Sequence, residues 1–63
     1  MKLSKNESKL IDLLKQKGFL RENIAEIISI LKNEEDVEYI IDWMMQNPQA
    51  SQDDINKEIN ENF

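Results

Sequence analysis

Sixty-three residues make one small domain, which buries only about 60% of the surface its unfolded chain exposes. With no cysteine there is no disulfide and no thiolate zinc site, and with no histidine the commonest general base and metal ligand are gone. Eight basic against 13 acidic residues, net −5, suit neither phosphate neutralisation nor nucleic-acid binding, and the same field favours a basic protein surface. No apolar run approaches the ~18 residues of a membrane span. Met1-Lys2-Leu3 leads at once into polar residues and gives no signal-peptide core, so a cytoplasmic location is expected.

One glycine, one proline and strong helix formers throughout point to an all-α chain. Ser4-Lys5-Asn6-Glu7 has the spacing of a capping box and predicts a first helix from about Lys5 to Lys17, with Leu10, Ile11, Leu13 and Leu14 on its apolar side. Lys15 and Lys17 complement the dipole of its last turn. The helix stops at Gly18, where a residue with φ > 0 is needed. Phe19 completes a Gly-Phe corner.

A second helix runs from near Arg21 to near Lys32, with Ile24, Ile27, Ile28 and Leu31 at i, i+3, i+4, i+7 and Ala25 small enough to let a neighbouring helix approach. Leu20 stands where a polar cap would serve best. A polar break follows, with Asn33 as an αL or capping residue. The third helix spans Glu34 or Glu35 to Gln46. Its acids crowd the first turn, and Val37, Ile40, Ile41 and Met44 form the core stripe, leaving Tyr39, Trp43 and Met45 outside it. Asn47-Pro48 ends that helix. Ser51 then offers an N-cap for a short fourth helix to about Glu61. Ile55, Ile59 and Phe63 anchor little, so this tail is expected to be marginal. The organisation is therefore a bundle over 1–47 and a helical tail over 48–63.

Catalytic chemistry has no foothold. A nucleophilic triad has no base, and Glu34/Asp36 and Asp53/Asp54 sit in first turns, where capping accounts for them. Glu34, Glu35, Asp36 and Glu38 lack the glycine and spacing of a calcium loop. A helix-turn-helix would need basic or amide side chains on the reading helix, and the third helix carries Glu34, Glu35, Asp36, Glu38 and Asp42 with no basic residue. No catalytic residue, cofactor or metal site is expected. An interaction surface remains: Trp43, Met44 and Met45 combine an aromatic with flexible thioethers, and being consecutive they cannot all face one side.

Residues 7–46 resemble a ubiquitin-associated (UBA-like) domain. Lys17-Gly18-Phe19 is similar to the family's Met-Gly-Phe/Tyr loop, and Leu20-Arg21-Glu22-Asn23 to its continuation. Val37-Glu38-Tyr39-Ile40-Ile41-Asp42-Trp43-Met44 resembles its third helix, with Met44-Met45 in place of paired leucines. Lys17 replaces the usual methionine, Ile40 a small alanine, and Leu20 an acidic cap. The resemblance implies a compact three-helix bundle, here with a short fourth helix, acting as a non-catalytic protein-interaction module. Gly18, Phe19, Leu20, Met44 and Met45 would form its contact patch, rimmed by acids that include Glu22 and Asp42. The partner would be another protein, either ubiquitin-like or presenting a basic surface, with neither nucleic acid nor membrane involved. The alternatives are a small phage or bacterial regulatory protein of helix-turn-helix type, or a self-associating structural subunit forming a homo-oligomer.

Overall fold

The computed structural model describes residues 5–63. The chain is all-helical: α1 Lys5–Gln16, α2 Arg21–Ile30, α3 Glu34–Gln46 and α4 Gln52–Asn62, with no strand among the described residues. The expected capping box at the start of α1 depends on Ser4, which lies outside them.

Helix α1 buries Leu10 and Leu14, one turn apart, and packs mainly on α3. It closes in a Schellman motif. The Gly18 N–H reaches the Lys15 carbonyl at 3.0 Å, the Phe19 N–H reaches the Leu14 carbonyl at 3.1 Å, and Gly18 takes φ +87°. Phe19 and Leu14 then share the core, the apolar contact that usually accompanies this motif.

Helix α2 starts from an extended Leu20 that makes no side-chain cap. It ends at Ile30, earlier than the Lys32 expected from periodicity. The reason is local: Leu31 leaves helical geometry at φ −86°, ψ 80°, and this puts its side chain in the core while its N–H still bonds the Ile27 carbonyl at 3.0 Å. Asn33 takes the N-cap position of α3 in an extended conformation, φ −107°, and not αL, with no side-chain cap hydrogen bond. In α3 the predicted stripe of Val37, Ile40, Ile41 and Met44 is buried. At its end the Asn47 side-chain amide donates to the Trp43 carbonyl at 2.8 Å, and the chain turns through Pro48.

The fourth helix packs into the common core, whereas its own sparse apolar residues suggest a tail that anchors little. Ser51 caps it: its hydroxyl accepts from the Asp54 N–H at 3.2 Å, while the Asp54 carboxylate accepts from the Ser51 N–H at 3.0 Å. Ile55 and Ile59 are fully buried in the same core as Leu10, Leu14 and Ile40. Three apolar residues anchor little on an isolated helix, but two isoleucines inside a shared core add about 1.5–3 kcal/mol each. The radius of gyration, 10.5 Å, agrees with the about 10.6 Å of a folded chain of this length.

Polar contacts tie the helices at the surface. The Asn6 amide donates to Glu34 at 2.9 Å and to Glu38 at 3.2 Å, joining α1 to α3. The Tyr39 hydroxyl donates to Glu58, and its ring stands edge-on to Phe63 with centroids 5.8 Å apart, so the outer face of α3 is partly covered by α4. No helix among the described residues is long and apolar enough to cross a membrane.

Candidate functional site

The Gly-Phe corner is locked to the segment between α3 and α4. Lys17 follows the last residue of α1, and its ammonium donates to the Pro48 carbonyl at 2.6 Å and the Ala50 carbonyl at 2.9 Å. In return the Gln52 side-chain amide donates to the Lys17 carbonyl at 3.0 Å. These three hydrogen bonds hold sequence-distant segments together, and two of them are charge-assisted. They also crowd Gly18, where a Cβ would sit 3.2 Å from the Gln52 amide nitrogen.

Two grooves flank this corner. The first, of about 370 Å³, lies between the end of α1 and the end of α3, lined by Leu13, Gln16, Lys17, Met44, Met45 and Pro48. Met44 is 4% exposed and forms its floor, while Met45 is 59% exposed at its mouth. Consecutive residues on a helix point about 100° apart, which is why one thioether is inside and its neighbour outside. The second groove, of about 420 Å³, runs between α1 and α2 over Ile11, Phe19, Ile24, Ala25 and Ile28, with Lys15 and Arg21 as its only charged lining among the described residues.

The five residues expected to form one patch are therefore divided. Met44 and Met45 belong to the first groove. Phe19 is drawn into the core by the Schellman turn, and what remains accessible of it faces the second groove. Leu20 is 67% exposed, and neither it nor Gly18 lines either groove. The acidic rim is also displaced. Asp42 sits with Tyr39, three residues before it, and Gln46, four after, in a shallow depression on another side of α3, and Glu22 lines neither groove.

Nothing in the local sequence marks Leu13 or Pro48 as lining residues, and only the fold brings Pro48 beside Lys17. Among the described residues no three acidic side chains converge to hold a metal ion. Two titrating groups are displaced from their ordinary values. Asp54 is lowered, first by the hydrogen bond from the Ser51 N–H and then by the Ser51 side chain, and Tyr39 is raised, first by its hydrogen bond to Glu58.

Comparison with family models, curated proteins and solved structures gave no match to this chain.

Proposed function

We propose that this chain is a UBA-like helical bundle, extended by α4, that works as a non-catalytic protein-interaction module in the cytoplasm. Its contact surface is the groove at the end of α3. The observation that carries this reading is Met45, a long flexible thioether more exposed than buried, at the rim of a depression floored by Leu13 and Met44. Thioethers adapt to varied apolar partners, and an apolar depression with a mobile lip suits the insertion of a partner's side chain. The aliphatic stem of Lys17 also lines this groove while its ammonium is held by backbone carbonyls. The stem thereby presents methylenes where the UBA-like pattern has methionine.

The test is capture of partners from lysate of the source organism by the wild-type chain and by Met45→Asp, with purified ubiquitin as a defined probe in parallel. Position 45 is exposed, so the substitution leaves the core intact, and circular dichroism checks this. The reading expects a protein held by the wild type and lost by Met45→Asp. Equal capture by both would overturn the surface, and no captured protein would overturn the module.

A further inference from the structure

The α1/α2 groove has a character opposite to that of the chain around it. In a molecule of net charge −5, its only charged lining residues among the described ones are the two cations Lys15 and Arg21. Neither side chain has a hydrogen-bond or ion-pair partner among the described residues. Arg21 opens α2, the end of a helix whose dipole favours anions, so its charge works against the helix it begins. The floor between these cations is apolar: Phe19 and Ile24 lie below, Ile11 and Ile28 form half-buried walls, and exposed Ala25 leaves the space above α2 open. The crevice exists because α1 packs chiefly on α3 and only lightly on α2.

We infer that this groove seats one turn of an acidic amphipathic helix from a partner protein. The local charge selects the occupant. Ile11 to Lys15 on one wall and Ile24 to Ile28 on the other each span about 6 Å, one helical turn, which matches two apolar side chains at i and i+4 of an incoming helix. Acidic residues flanking those anchors meet Lys15 at one wall and Arg21 at the other. At the groove itself a basic helix meets two cations, and within a Debye length of about 8 Å that local charge favours acidic flanks, although the chain's net charge of −5 favours a basic partner at longer range. This site shares no lining residue with the groove of Met44 and Met45. The two can therefore fail independently.

The experiment uses two synthetic helical peptides with identical leucines at i and i+4, one flanked by Asp and Glu and the other by Lys. They are titrated into protein carrying ¹³C-labelled isoleucine and methionine methyl groups. The inference expects the acidic peptide to shift the methyls of Ile11, Ile24 and Ile28 while Ile55 and Ile59, buried on other elements, stay in place. It also expects affinity to fall about tenfold in the double variant Lys15→Glu/Arg21→Glu, whose exposed positions preserve the fold. The Lys-flanked peptide should bind the wild type more weakly, and that order should reverse in the double variant. Equal affinity for both peptides, shifts confined to the Met45 methyl, or no shift at millimolar peptide would each overturn it. So would groove-methyl shifts that follow protein concentration alone with a rising sedimentation mass, which would show that a second copy is the occupant.

Discussion

Replacing Gly18 by alanine probes the corner from which both grooves diverge. The residue sits at φ +87°, where an L-residue with a Cβ is disfavoured by about 1–2 kcal/mol. Alanine also reduces the freedom of the unfolded chain, which returns about 0.4–1 kcal/mol, so the backbone term nets to about 1 kcal/mol of destabilisation. The new Cβ lies 3.2 Å from the Gln52 amide nitrogen, so that side chain must give by a few tenths of an ångström, which strains its 3.0 Å hydrogen bond to the Lys17 carbonyl. Complete loss of that hydrogen bond would add about 1 kcal/mol and sets the upper bound of this term. The total is about 1–2 kcal/mol, which in a chain of this length lowers the melting temperature by about 4–16 °C. Urea denaturation followed at the single tryptophan, Trp43, measures it. A double-mutant cycle separates the two contributions: in a Gln52→Ala background, Gly18→Ala should cost only the backbone term. A cost below about 0.5 kcal/mol in the wild-type background, or no coupling to Gln52, would refute the reasoning.

Ile55→Ala should destabilise the whole molecule by about 2–5 kcal/mol, because its side chain is fully buried in the common core. Unfolding should remain a single transition by both tryptophan fluorescence and circular dichroism, and a separate early loss of α4 helicity would contradict a shared core. Lys17→Met keeps the stem but removes the ammonium from the Pro48 and Ala50 carbonyls. It should cost about 1–2 kcal/mol in urea denaturation and raise amide hydrogen exchange in the turn before α4. In pH titrations of stability the two perturbed groups act at opposite ends. The Asp54 carboxyl is lowered in the fold, so its contribution is complete above the ordinary 3.8 and is lost as pH falls through the folded value. The Tyr39 phenol is raised, so its contribution is complete below 10.0 and is lost as pH rises from there through the folded value. Asp54→Asn and Tyr39→Phe should flatten the acid and alkaline limbs respectively.

The helices were legible because their signals are local. The i, i+3, i+4, i+7 stripe of Val37, Ile40, Ile41 and Met44 is the buried face of α3, and Gly18 takes the positive φ that a helix stop asked of it. Ser51 with Asp54 forms the cap its spacing offered. What could not be read depends on residues brought together over long stretches of chain. Nothing near Lys17 shows that its ammonium ends on Pro48 and Ala50, or that Asn6 bridges to Glu34 and Glu38. The weight of α4 was missed for a related reason: Ile55 and Ile59 look sparse on their own helix and matter because the other helices surround them. Three consecutive side chains at the end of α3 cannot all be buried, but which of them is exposed, here Met45, depends on the packing of α3. Phe19 joins Met45 in one patch only through the family resemblance, and in this fold the Schellman turn carries Phe19 to the other groove.

The central claim is that the end of α3 is a contact surface, and site-specific photo-crosslinking in the source organism tests it most directly. A photoreactive side chain placed at Met45 should yield one discrete adduct with another protein. The same group at Glu35, also exposed but in the first turn of α3, should not yield it. An adduct formed alike from both positions, or from neither, would contradict the account.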